Sequence, residues 1–112
     1  MNLVKAECYV RQAVPDLEAA RNIIDELLKQ TPAQDPFGVG AGIAAGYTGP
    51  VDAASLLNEI YRNRCIELFF SGLKLEDMRR FGRPESERKR NLFPYPFRER
   101  DGNPNTPPDP AF

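Results

Sequence analysis

The sequence predicts an all-α fold, and three observations carry that prediction. Apolar residues recur at helical spacing in the first thirty residues, a long helical run opens behind Asp52, and runs rich in glycine or proline separate these segments. At 112 residues the chain is one domain, large enough to bury a core of its own if most of it is ordered. Its 41% hydrophobic and 28% charged residues are ordinary for a soluble protein, whereas 11 prolines are many for this length. No run of apolar residues is long enough to span a bilayer, and MNLVKAECYV lacks the basic and apolar regions of a secretory signal. The chain as given is therefore expected to be soluble.

The first predicted helix covers Leu3 to Gln12, with Leu3, Val4, Ala6, Cys8 and Val10 interleaved with charges. The second covers Asp16 to Gln30, where Leu17, Ala20, Ile24 and Leu27 form a stripe that Ile23 and Leu28 widen. Pro15 fits a first helical turn, whose amide has no partner to lose, and Thr31-Pro32 stops the helix. A link this short forces the two helices into an antiparallel hairpin. Ala20, Ile24, Leu27 and Pro32 match the second half of a tetratricopeptide repeat, while Cys8 and Arg11 stand where its first half has a small and an aromatic residue.

The run TPAQDPFGVGAGIAAGYTGP, within residues 31–51, is a long loop with five glycines and three prolines. GVGAGIAAG is not a phosphate-cradling turn, because such a turn follows a strand and opens a helix. The choice for this loop is between a mobile surface segment and a ligand contact through Phe37 and Tyr47. Asp52 then caps a helix reading AASLLNEIYRNRCIELFF, whose Leu56, Leu57, Ile60, Tyr61, Arg64, Glu67 and Leu68 fall on one broad side. Gly72 ends or bends it, and LKLEDMRRF adds one or two turns before Gly82.

From Asn91 the chain holds six of its prolines and no helical period, so 91–112 is expected to be extended, with turns at Asp101-Gly102 and Asn103-Pro104. Leu92, Phe93, Tyr95, Phe97 and Phe112 give it more apolar mass than a disordered tail needs. It is expected to pack as a strap on a helical region spanning 1–90; the alternative is a peptide ligand for a proline-reading groove. The run RRFGRPESERKR is expected to be a solvated loop, since Glu85 and Glu87 interrupt its basic residues and no aromatics interleave with the arginines as a single-strand surface requires. No nucleic-acid partner is expected. With no histidine in the chain, Cys8 and Cys65 have no metal-ligand spacing and are expected to be buried thiols, an incidental disulfide being the alternative. No metal or cofactor is expected.

The charged residues of IELFFSGLKLEDMRRFG invite a catalytic reading through Glu76 and Asp77. Adjacent helical residues project about 100° apart, however, and neither a histidine nor a nucleophile completes a site. The chain is not expected to be an enzyme. Arg64, Glu67, Asp77 and Arg79 are expected instead to form an ion-paired clasp across the bend at Gly72, leaving Arg80 to backbone carbonyls or solvent.

This run, followed by a basic loop, LFPYPFRERDGNPN and a terminus PPDPAF, resembles the C-terminal part of SusD/RagB-type proteins. Their pattern is roughly Glu-Leu-x-Phe-Glu-Gly-x-Arg-x-x-Asp-Leu-Arg-Arg-x-Gly, then Leu-x-Pro-Ile-Pro and Asn-Pro-Asn. Glu67, Leu68, Phe70, Gly72, Asp77, Arg79, Arg80 and Gly82 fit it, as do Pro94, Pro96, Asn103, Pro104 and Asn105. Ser71 replaces the usual Glu and Lys74 the usual Arg, and Asn63 and Cys65 stand where charged residues are common. The Leu3 to Gln30 hairpin resembles the family's last tetratricopeptide-like pair. The resemblance implies the scaffold end of a larger lipoprotein on the outer membrane of Bacteroidetes-type bacteria. Such proteins are not enzymes; they capture oligosaccharides or other nutrients and pass them to a SusC-like TonB-dependent transporter. The alternative from another class is a tetratricopeptide-like protein-interaction module with a proline-rich tail.

Overall fold

The computed structural model describes residues 2–35, 40–88 and 94–108. Among these the fold is all-α, with helices α1 (Asn2–Arg11), α2 (Leu17–Lys29), α3 (Ala53–Glu67), α4 (Lys74–Arg80), α5 (Glu85–Arg88) and α6 (Phe97–Gly102). Two compact units divide the chain, Met1–Gly72 and Leu73–Phe112.

In the first unit one face of each helix enters a common core. Leu3, Ala6 and Val10 of α1 meet Ala20, Ile24 and Leu28 of α2 and Leu56, Ile60 and Tyr61 of α3, the i, i+3, i+4 spacing placing each set on one stripe. Ala6 and Ala20 are fully buried, and side chains this small let the α1 and α2 backbones approach closely. The start of α1 and the ends of α2 and α3 line one cleft, so α1 runs antiparallel to both. The link between α1 and α2 is fixed at both ends: the Asp16 amide donates to Tyr9 O at 3.0 Å, and Asp16 Oδ1 accepts from the Ala19 amide at 2.9 Å. Asp16 is therefore the N-cap, and Pro15 precedes the helix instead of occupying its first turn.

Three further details of this unit differ from the sequence expectation. The third helix stops at Glu67 instead of running to Phe70. Beyond it the bonds shorten to i→i+3, from the Phe69 amide to Ile66 O and from the Ser71 amide to Leu68 O, and the Ser71 hydroxyl takes the same Leu68 carbonyl at 2.6 Å. A serine competing for a backbone acceptor favours a turn over another helical residue. Two left-handed residues follow, Phe70 at φ +64° and Gly72 at φ +80°. Second, Glu67 is exposed, although the apolar stripe extrapolates through it, while Arg64 is buried. Third, Cys8 is exposed and Cys65 half-buried, and the two are not joined in a disulfide. Cys8 falls between the core positions Leu3, Ala6 and Val10, so the α1 stripe leaves it outside.

In the second unit Met78 and Asp77 of α4 are buried, and Gly82 closes the helix at φ +62°. The basic run expected as a solvated loop contains the single turn α5, begun by the Glu87 amide donating to Pro84 O at 3.0 Å and braced by Arg83 Nε on Glu87 Oε2 at 2.7 Å. The expected extended tail is likewise helical at α6. Pro96 supplies acceptors to the Glu99 and Arg100 amides, and a proline in front of a helix removes no bond the helix needs. Asp101-Gly102 belongs to the end of that helix, whereas Asn103-Pro104 does turn, with the Thr106 amide on Asn103 O at 3.1 Å and the Asn105 amide on Asn103 Oδ1 at 3.0 Å. Leu92, Phe93 and Phe112, on which the strap expectation rests, lie outside the described residues.

Candidate functional site

The described part of the glycine-rich loop is not a free surface segment. Helix α2 ends with carbonyls that have no partner within the helix, and the loop supplies donors to them. The Gly42 amide donates to Gln30 O and the Ile43 amide to Leu28 O, both at 2.8 Å. One turn further on, the Tyr47 amide donates to Asp25 Oδ1 at 2.6 Å. This approach needs glycine at two points. A Cβ on Gly40 would stand 2.5 Å from the Gln30 and Thr31 carbonyl oxygens, and one on Gly46, already at φ +67°, would stand 2.5 Å from Asp25 Oδ1.

Docked in this way, the loop, α2 and α3 border an open cleft of about 380 Å³ lined by Leu28, Ile43, Tyr47, Thr48, Glu59 and Arg62 with Gly46 and Gly49. Tyr47 reaches this cleft; Phe37 lies outside the described residues. The Tyr47 hydroxyl donates to Pro50 O at 2.9 Å. Burial pushes its phenol above the ordinary value of 10.0, and the Glu59 and Asp52 carboxylates act in the same direction. On the α3 wall, Glu59 Oε1 accepts from Arg62 Nη1 at 2.9 Å and from Asn63 Nδ2 at 2.8 Å. Asp52 opens α3 by accepting from the Ser55 amide at 3.0 Å, and its hydrogen bonds with Ser55 hold its carboxyl below the usual 3.8.

Sequence reasoning named Tyr47 as a candidate and did not name Thr48, Glu59 or Arg62, which line the same cleft. The usable signal was Glu59 and Arg62 at i, i+3 beside an N-capped start, a pair that reads as a solvated helix face until the loop is placed over it.

A second cleft of about 340 Å³ in the first unit is lined by Asn2, Leu3, Leu27, Arg64, Glu67 and Leu68. It brings two of the expected clasp residues, Arg64 and Glu67, to one place. The other two, Asp77 and Arg79, belong to α4 in the second unit. There Arg79 Nη1 donates to Glu76 Oε1 at 2.6 Å, and Arg80 Nη2 to Asp77 Oδ1 at 2.9 Å. Arg80, expected to face carbonyls or solvent, is therefore an ion-pair partner of buried Asp77, because i, i+3 spacing sets it directly over that carboxylate. Among the described residues no group of three or more carboxylates or cysteines is placed to hold a metal ion, and no helix is long and apolar enough to cross a membrane. Compared with protein-family models, curated proteins and solved structures, the chain matches none of them.

Proposed function

We propose that this chain is the C-terminal scaffold part of a SusD/RagB-type nutrient-binding lipoprotein at the outer-membrane surface, which passes oligosaccharides or other nutrients to a SusC-like TonB-dependent transporter. One observation carries the reading: Glu67, Leu68, Phe70, Gly72, Asp77, Arg79, Arg80 and Gly82 recur at the family's spacing and are followed in order by Pro94, Pro96 and Asn103-Pro104-Asn105. The geometry supports it by giving three of these residues a physical reason. Gly72 and Gly82 both hold left-handed backbone, where any other L residue is strained, and Asp77 is a buried carboxylate held by the motif's own Arg80. In this reading the chain has no catalytic role and contributes shape and ligand-facing surface.

The second reading, a tetratricopeptide-like interaction module, is favoured by one observation, the full burial of Ala6 in α1 and Ala20 in α2, two helices that pack on each other. Determining the coding sequence upstream of Met1 separates the two. An open frame of several hundred codons led by a lipoprotein signal supports the nutrient-binding reading, and a stop codon directly upstream of a start at Met1 counts against it.

A further inference from the structure

We propose that the cleft between the 40–50 loop and α3 is a subsite for one ring of a neutral, hydroxyl-rich sugar. The proposal rests on the nutrient-binding reading for its biological setting, while the ligand chemistry follows from the cleft itself. Charge comes first. Arg62 is neutralised at 2.9 Å by Glu59, so the pair favours neither an anion nor a cation. The wall is nevertheless rich in unused hydrogen-bonding capacity. Both donors to Glu59 converge on Oε1, leaving Oε2 to accept, and Arg62 spends only Nη1, leaving Nε and Nη2 to donate. Thr48 adds a hydroxyl that can do either.

A carboxylate oxygen and a guanidinium fork side by side complement two vicinal hydroxyls, each of which donates once and accepts once. The remaining wall is apolar, from Leu28, Ile43 and the Tyr47 ring, and suits the carbon-bound face of the same sugar ring. A volume near 380 Å³ is at the small end of ligand clefts, about 300–1,000 Å³, and fits one or two pyranose rings. A peptide that binds by adding a strand is the poorer occupant, since the described residues of this unit form no sheet edge to receive one. Both walls are also pre-set: Glu59 is held by Arg62 and Asn63, and the loop by its bonds to Leu28, Gln30 and Asp25. Fixed walls reduce the ordering cost of binding a small ligand.

The test is a titration of the folded chain, followed by amide nuclear magnetic resonance, with maltotriose, cellotriose, mannotriose and xylotriose, using glucuronic acid and glucosamine as charged controls. Saturable shifts at Gly46, Tyr47, Thr48 and Gly49 with at least one neutral trisaccharide, and none with the charged monosaccharides, are expected. Arg62→Ala and Glu59→Gln should each weaken that binding about tenfold or more, with well-dispersed spectra reporting that both variants remain folded. No shifts with any neutral trisaccharide, shifts confined to other residues, or unchanged affinity in folded Arg62→Ala would each overturn the subsite. The upstream reading frame distinguishes this failure from that of the wider reading. A lipoprotein frame with a sugar-blind loop overturns the subsite alone, whereas a sugar-binding loop without such a frame overturns the family reading alone.

Discussion

Phe70 carries φ +64° with its side chain 94% exposed, a conformation that costs an L residue about 1–2 kcal/mol and here gains little burial in return. Its ring meets Phe69 edge-on with centroids 4.6 Å apart, but in a solvated position that contact offsets only part of the strain. Asparagine tolerates left-handed backbone, so Phe70→Asn should raise stability by about 0.5–1 kcal/mol. The check is a denaturant midpoint that rises with unchanged slope; a falling midpoint would mean the ring pair outweighs the backbone. Two titrations also belong to this scale. The Asp52 carboxyl is held below 3.8 by Ser55, so its contribution to α3 is complete above that pH and is lost as pH falls through the lower folded value. Tyr47 runs the opposite way: its raised value means a contribution complete below pH 10.0 and lost as pH rises through the folded value. Carboxyl resonances followed to low pH should show Asp52 titrating below 3.8, and phenolate absorbance should include one tyrosine ionising above 10.0.

Among the elements, α1, α2 and α3 were legible in the sequence because each carries an amphipathic period, and at α3 the Asp52 cap agrees with it; the Asp16 cap of α2 emerged only from the structure. The extent of α3 was not, since ELFF continues the apolar run and only the Ser71 hydroxyl on Leu68 O and the left-handed Phe70 break it. Short helices such as α5 and α6 were missed because four to six residues carry no period, and their prolines read as breakers when they stand in front of the turn. The candidate site was half legible. An aromatic in a glycine-rich loop drew attention to Tyr47, but the partners of Tyr47 on α3 depend on loop docking, a long-range property that local composition does not encode. Docking is testable at Gly46, where a Cβ would meet Asp25 Oδ1 on a backbone already at φ +67°. Gly46→Ala should cost about 1–2 kcal/mol and speed hydrogen exchange at Gly42 and Ile43 selectively. Equal protection of those amides in the variant would show that the loop docks without the glycine. In α4, Asp77→Ala removes the carboxylate that Arg80 grips at 2.9 Å, and should destabilise that helix by about 1–2 kcal/mol, the exposed half of the pair limiting the loss. Unchanged exchange along Lys74–Arg80 would sink the idea that this pair holds the helix.

For the whole molecule, the distribution of buried apolar side chains sets which unit can stand alone. Leu3, Ala6, Val10, Ala20, Ile24, Leu28, Leu56, Ile60 and Tyr61 all belong to Met1–Gly72, whereas Met78 is the one such residue among the described residues of Leu73–Phe112. Fully burying a side chain of the Leu or Ile class contributes about 1.5–3 kcal/mol. Nine buried apolar side chains shared by three helices give Met1–Gly72 a common core. The described residues of Leu73–Phe112 supply Met78 alone, and segments of about 40 residues rarely fold without further bracing. A fragment comprising residues 1–72 should therefore keep helical circular dichroism and a cooperative melt, and a fragment of residues 73–112 should show little helix by itself. In the intact chain, amides of α1 to α3 should exchange only through global unfolding, and those of α4 to α6 at lower free energies. A noncooperative 1–72 fragment, or equal protection across α1 to α6, would mean that the core's stability depends on the second unit more than its burial implies.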